Sequence, residues 1–387
     1  MSRSSVSVYA VGDVFTDAQD GLAPFAPVRP ALAGADIVFG NCEGVYSDRP
    51  APAPTHKHFM AAPCERGARL GEVPFHVMTL ANNHMLDGGY VGLEDTVALL
   101  QGQGIAVCGA GADLPAALAP AVVQRDGVRV AFLGFGSVFP VGYEARRRRA
   151  GLAPLRVHTT YLDPDPTFWE PGVPARVLTT PYPEDVDGLG AAIAAARERA
   201  DAVVVACHWG YSSLLEALQD YELVLARAAV DAGADAVVCH HHHSLRGIEV
   251  RHGRPIFYGL GAFVHHLNDE IDPVVRAARE AELGRRSLLR EAEAYPAFPF
   301  CAEARRTMIA TLEFARRGDG GGPLTAGFLP AEIQPDGSTV PLRADDPRGA
   351  AISGYVAELT AATGLATSFA PGERDGWLHV AVDLGRG

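Results

Sequence analysis

Short runs rich in Val, Ile, Ala and Phe alternate along the chain with longer stretches whose apolar residues recur at helical spacing. Residues 6–11, 36–39, 75–80, 105–107, 121–123, 128–135, 202–207, 236–239 and 255–258 read as strands. Residues 92–101, 189–198 and 214–232 read as helices. Strands that are apolar on nearly every position belong in a sheet covered on both faces, which predicts a layered α/β fold. Further along, residues 326–333 and 377–382 read as edge strands around an amphipathic stretch at 349–363, and 268–318, rich in Ala, Glu and Arg, reads as a helical segment. The segment 143–187 interrupts the rhythm. It opens on Arg146, Arg147, Arg148 and Arg149, carries six prolines between Pro164 and Pro183, and includes Phe168 and Trp169. A structureless insertion of this length is expected to be a lid or binding loop.

The polar residues gather where the strands end. Asp13 follows the first strand, Asn41-Cys42-Glu43-Gly44 the second and Asn82-Asn83-His84 the third; His208-Trp209-Gly210 and His240-His241-His242-His243 follow two later ones. In layered α/β folds ligands collect at the carboxyl ends of strands. Carboxylate, amide oxygen and imidazole are together the donors of Mn, Zn or Fe sites. On extended backbone, His241 and His243, or His240 and His242, would point to one side and could serve adjacent ions. A carboxylate such as Glu43 can bridge two ions, and His84 can protonate a leaving oxygen. Each residue taken singly has a plainer reading. Asp13 can cap a turn, Asn82-Asn83 can be turn chemistry, and His208 can be a core imidazole. It is their shared position at strand ends that favours a metal site.

Composition narrows the function. The chain has 387 residues, 48% of them hydrophobic, enough for one large domain over 1–387. With 33 basic and 46 acidic residues the net charge is −13, which argues against a nucleic-acid partner. Six dispersed cysteines without a CxxC pair predict buried or near-site thiols rather than a disulfide framework. No run reaches the roughly 18 apolar residues of a spanning helix. The first residues, with Arg3 their only basic side chain, lack the apolar core of a leader. The expectation is a cytoplasmic protein without a membrane anchor.

The chain resembles the CapA family, named for the poly-γ-glutamate capsule protein, a branch of the calcineurin-like metallophosphoesterases. The residues that carry the resemblance are Val11-Gly12-Asp13-Val14, the stretch 35–44, Leu80-Ala81-Asn82-Asn83-His84 with Asp87 and Gly89, Cys207-His208-Trp209-Gly210, the stretch 233–243, and 255–261. The resemblance implies a four-layer α/β/β/α sandwich with one or two divalent ions (Mn, Zn or Fe). It implies that Asp13 holds one ion, that Glu43 bridges, and that Asn83, His208 and His241 hold the second, with His243 returning to the first. His84 is then the acid or base. His240 is the alternative for one of the pair. The family's usual Gly-His-His-Pro-His reads here Cys239-His240-His241-His242-His243. Where the wider superfamily has a histidine two residues after the first aspartate, this chain has Phe15, so the first ion would be weakly held, absent, or completed by water or an off-motif residue such as Asp17. Asn82, Asp87, Trp209, His240 and Arg246 are expected to contact substrate.

The function implied is a metal-dependent hydrolase in which a metal-bound hydroxide attacks a phosphoester, or an amide or γ-glutamyl carbonyl, of an acidic small molecule or polymer. The alternatives are a non-catalytic accessory protein of capsule-type polymer synthesis and a tailoring enzyme of small-molecule biosynthesis.

Overall fold

A computed structural model describes residues 5–18, 21–52, 59–163, 167, 172–211, 217–266, 294–298, 300–316 and 323–385. Two large sheets organise them. In the first, the strands Phe369–Arg374, Trp377–Val382, Pro323–Ile333, Arg306–Ala315, Ser5–Phe15, Ile37–Cys42, Phe75–Thr79 and Ala106–Cys108 lie side by side in that order. Ala262–His265 pairs in parallel with the end of Ser5–Phe15. The second sheet runs Ile248–Arg251, Arg254–Phe257, Ala236–His240, Ala202–His208, Val128–Gly136 and Ala121–Arg125. Its four central strands are parallel, as are the last four of the first sheet. Parallel neighbours require crossover connections, so the carboxyl ends of these strands emerge together on one edge.

Side-chain alternation decides which surface each residue joins. On Ala202–His208, Val204 and Ala206 share a buried cluster with Val8 and Ala10 of the first sheet, while Val203, Val205 and Cys207 turn to the helices Pro183–Arg197 and Asp220–Asp231. Phe39 and Phe132 stack between the sheets, ring centroids 5.1 Å apart. The other face of the first sheet packs Tyr9, Val38 and Met78 against Leu93 and Leu100 of the helix Gly89–Gly102. The mixed α/β architecture expected from the apolar runs is present.

Three sequence-based expectations change. The strands at 323–333 and 377–382 are interior, because Phe369–Arg374 extends the sheet beyond them. Most of the segment 268–318 lies outside the described residues, and its described part carries the strand Arg306–Ala315 rather than a helix. There Met308, Ala310, Leu312 and Phe314 alternate into the intersheet core. Pairing on both flanks overrides the helix propensity of Ala, Glu and Arg. The segment 143–187 is not structureless: it contains an antiparallel hairpin, Val157–Leu162 with Arg176–Pro181, and the start of the helix Pro183–Arg197. Phe168 and Trp169 lie outside the described residues. Within the arginine run, Glu144 pairs with Arg146 and Arg149 at 2.7 Å each, so half of the run is tied to the segment's own base.

Two glycines permit the close approach of strands at the site edge. A Cβ on Gly12 would lie 1.9 Å from the Gly261 carbonyl oxygen, and Gly261 itself has φ +83°. The Asp13 amide donates to that same carbonyl at 3.2 Å.

Candidate metal centre

Six strand ends converge. Asp13 terminates a bulged stretch of Ser5–Phe15, and Glu43 follows Ile37–Cys42, its amide donating to the Val14 carbonyl at 2.9 Å. Asn83 and His84 follow Phe75–Thr79. His208 closes Ala202–His208, His240 closes Ala236–His240, and His265 closes Ala262–His265. Asp13, Glu43, His208 and His265 are buried; His243 is 13% exposed at its side chain.

The donors form two groups that share Glu43. In one, Glu43, His208 and His241 offer ligand atoms within 4.8 Å of one another; in the other, Glu43, His243 and His265 do the same. His208 Nε2 lies 3.4 Å from Glu43 Oε1, 2.7 Å from Asn83 Oδ1 and 3.1 Å from His241 Nδ1. His243 Nδ1 lies 3.1 Å from Asp13 Oδ2 and 3.7 Å from Glu43 Oε2, and His265 Nε2 also lies 3.7 Å from Glu43 Oε2. Asp13, Glu43, Asn83, His208, His241 and His243 are therefore brought together from distant parts of the chain. Asn41 ties the groups from behind, donating to Asp13 Oδ1 at 2.8 Å and standing 3.3 Å from His208 Nδ1.

His241 and His243 reach this place by a route other than extended backbone. The strand stops at His240, and both residues sit in the left-handed region, with φ 87° and 52°. Such conformations in non-glycine residues cost on the order of 1–3 kcal/mol each and persist where the surroundings impose them. Here Asp13 Oδ2 accepts from the His241 amide at 3.2 Å, and His242 Nε2 stands 2.9 Å from Glu222 Oε1 on the opposite side. His240 is excluded from both groups, because its Nε2 faces the Val11 carbonyl at 3.1 Å.

His84 stands beside the donors. Its Nδ1 is 2.7 Å from Asp87 Oδ2, and Asp87 also accepts from the Met60 amide at 2.8 Å and from the Tyr143 hydroxyl at 3.1 Å. Burial, together with Asp87, raises the Tyr143 phenol, so Tyr143 remains a donor.

The residues expected to contact substrate are buried among the described residues. Asn82, Asp87, Trp209, His240 and Arg246 each expose no more than 1% of their surface. Asn82 is spent on Asn41 and the Cys42 carbonyl, Asp87 on His84, and Arg246 on Ser244 and the Leu245 carbonyl. Trp209 packs edge-on to Tyr221 in the helical layer. Asp17, the suggested completing donor, points to Arg66 at 3.9 Å. The residues that sequence reasoning missed are His265, Asn41, Tyr143 and the aromatic cover of Phe298 and Phe300. The Phe300 ring lies 5.6 Å from that of His243, and the Phe298 ring 6.2 Å from that of His265. The signal for His265 was a further apolar run, Ala262-Phe263-Val264, ending in histidine.

The donor set suits divalent cations: carboxylates, imidazoles and an amide oxygen, with no thiolate. Cys42 is adjacent, but burial pushes its thiol up to about 12, and all six cysteines are free. Burial would raise the Asp13 carboxyl, yet the hydrogen bond with His243 holds it well below the ordinary carboxylate range. Burial lowers His208, His241 and His265 well below the usual imidazole value, and His240 and His242 less far; neighbouring histidines add to the effect at His208, His241 and His265. Neutral imidazoles are the ligating form.

These depressed values set a pH dependence for the metal-free protein. An unfolded imidazole titrates near 6.5 and the folded ones lower, so between those values the unfolded chain binds more protons. Stability is complete above about pH 6.5 and falls as the solution is acidified. Melting temperatures measured in chelator from pH 8 to pH 5 are expected to drop steadily below pH 6.5; a flat profile would contradict burial of neutral histidines.

An α/β fold with a carboxylate–imidazole cluster at its strand ends is the class that fold and site define. The family described as bacterial capsule synthesis protein PGA_cap matches residues 7–267, and the chain belongs to that family. It is 32% identical over 274 residues to the PGA biosynthesis protein CapA of Bacillus subtilis, covering 68% of this chain and 64% of the relative. It is 32% identical to the capsule biosynthesis protein CapA of Bacillus anthracis, over 62% of this chain and 53% of the relative. Identity is 38% with a probable polyglutamine synthesis accessory protein of Mycobacterium tuberculosis, over 49% of this chain and 45% of that protein. The chain thus spans less than two thirds of these relatives' lengths. The solved structure of GAP50, the anchor in the inner membrane complex of Plasmodium, overlays with a TM-score of 0.30 at 11% identity, over 84% of this chain and 85% of that one, too low to bear on the argument. Among the described residues no helix is long and apolar enough to cross a membrane.

Proposed function

We propose that this chain is a metal-dependent hydrolase of the CapA type, acting on a phosphoester or on an amide of the γ-glutamyl kind in an acidic small molecule or polymer. The fold we assign to it is the four-layer α/β/β/α sandwich. What supports that assignment is the apolar layer shared by the two sheets, with helices against their outer faces.

The observation that carries the reading is the position of Glu43 between two three-donor groups, with the His84–Asp87 pair beside them. Divalent cations held by these donors would polarise a phosphoryl or acyl oxygen and acidify a water. Asp13, Glu43 and His243 would hold one cation; Glu43, Asn83, His208 and His241 the other. Among the described residues the Met60 amide and the Tyr143 hydroxyl already donate to Asp87, whose carboxylate accepts the hydrogen on His84 Nδ1 and fixes the ring. The proton that His84 can move then sits at Nε2, where it would reach a leaving oxygen or nitrogen. Tyr143 and the Met60 amide keep Asp87 from turning away. Phe298 and Phe300 cover the His243–His265 side and limit water there.

The printed name of the mycobacterial relative favours a second reading, an accessory protein of polymer synthesis without turnover of its own. A tailoring role in small-molecule biosynthesis differs from the first reading only in substrate. One experiment separates catalysis from accessory function. Protein loaded with Mn, Zn or Fe is offered a chromogenic phosphodiester and a γ-glutamyl anilide, before and after chelation. Hydrolysis that chelator abolishes and metal restores is expected. Absence of turnover with every metal on both substrates would favour the accessory reading.

A further inference from the structure

Two residues beyond Asp13 the first strand offers Phe15, which has no donor atom. The neighbouring parallel strand places His265 opposite Phe15 in register, and the His266 amide locks that register by donating to the Phe15 carbonyl at 2.9 Å. His265 is 1% exposed, and neither of its ring nitrogens has a hydrogen-bond partner among the described residues. Its ring is enclosed by Phe15 at 6.4 Å, Phe298 at 6.2 Å and His243 at 5.1 Å between centroids. A buried imidazole set among aromatic rings without a hydrogen-bond partner is unfavourable unless something occupies its lone pair. Its Nε2 meets the same Glu43 oxygen as His243 Nδ1, each at 3.7 Å.

We infer that His265 is the fourth protein ligand of the first divalent cation, completing the set of Asp13, Glu43 and His243 from the adjacent strand. The inference rests on the metal-site reading above and deepens it: it assigns two cations rather than one, and a ligand outside the segments that carry the family resemblance. It also gives a role to the Gly12–Gly261 contact. The missing side chain at Gly12 lets the strand bearing His265 come close to the strand bearing Asp13. His266 anchors the far side, its Nε2 lying 3.0 Å from the Asp336 carbonyl.

The test is metal stoichiometry, measured by calorimetric titration of metal-free protein with Mn²⁺ or Co²⁺ and by elemental analysis after desalting. The wild-type chain is expected to bind two equivalents. His265→Phe, which suits the aromatic surroundings, should keep one equivalent at unchanged affinity and bind the other at least about a hundredfold more weakly, more than is typical for loss of an outer-shell partner. The Co²⁺ absorption bands should lose the contribution of that ion alone. His265→Gln, a polar replacement of similar reach, guards against a packing failure, and both variants are compared by melting temperature in chelator. His241→Ala should remove the opposite equivalent and leave the His265 ion in place. Two equivalents at wild-type affinity in both His265 variants would overturn the inference, as would a single wild-type equivalent that survives them. A wild-type chain that binds neither metal would sink the metal-site reading itself, a result distinct from either.

Discussion

His84→Ala is expected to lower kcat by about 10²- to 10⁴-fold, the range over which a positioned acid or base acts, while metal content stays at the wild-type level. The two effects separate because His84 belongs to neither donor group: its Nδ1 is committed to Asp87. The substitution takes one hydrogen-bond donor from the buried Asp87 carboxylate, so a stability loss of about 1–3 kcal/mol should accompany it. Tyr143→Phe is the informative companion. It removes one hydrogen bond from Asp87 without touching His84, and it should reduce turnover far less than loss of the imidazole does. Elemental analysis beside kcat on the phosphodiester or anilide reads both outcomes. Loss of metal in His84→Ala would make His84 a ligand and remove it from proton transfer.

Much of this geometry is legible in the sequence, for a specific physical reason. A buried parallel strand must be apolar along its length, so the first polar residue after it marks the strand's carboxyl end. Asp13, His208 and the histidine run are found by that rule, and Glu43 and Asn83 follow within two residues of the first polar side chains, Asn41 and Asn82. What the rule misses depends on contacts between distant segments. Asp87 lies three residues from His84 and reads as a possible substrate contact, because Tyr143, which helps to hold it inward, comes from a segment that looks like a free loop. Trp209 and Arg246 look available because exposure is not written in a motif; the helix Asp220–Asp231 covers Trp209. His265 was hidden differently. Its strand is only four residues long and matters through its register with Phe15. The strand Arg306–Ala315 was obscured by composition, since Ala, Glu and Arg favour helix until Ser5–Phe15 and Pro323–Ile333 pair with its two edges.

Glu43→Gln is the substitution expected to disturb the site most widely, because Glu43 alone belongs to both donor groups. Its Oε1 faces His208 and its Oε2 faces His243 and His265, so the two oxygens address different cations. Glutamine fills the same volume but replaces one of those oxygens by an NH₂, which cannot ligate, and it removes the negative charge that offsets the cations. Occupancy of both ions should fall together, by at least about tenfold in affinity, and hydrolysis should fall with it. His241→Ala, in contrast, should empty only its own group. The melting temperature in chelator should change little in Glu43→Gln, since the backbone anchor from the Glu43 amide to the Val14 carbonyl is untouched. The gap between metal-loaded and metal-free melting temperatures, wide in the wild-type chain, should nearly close, because a ligand stabilises only in proportion to its binding to the folded form. If metal content and that gap both survive the substitution, Glu43 does not link the two groups, and a two-cation centre at these strand ends loses its central support.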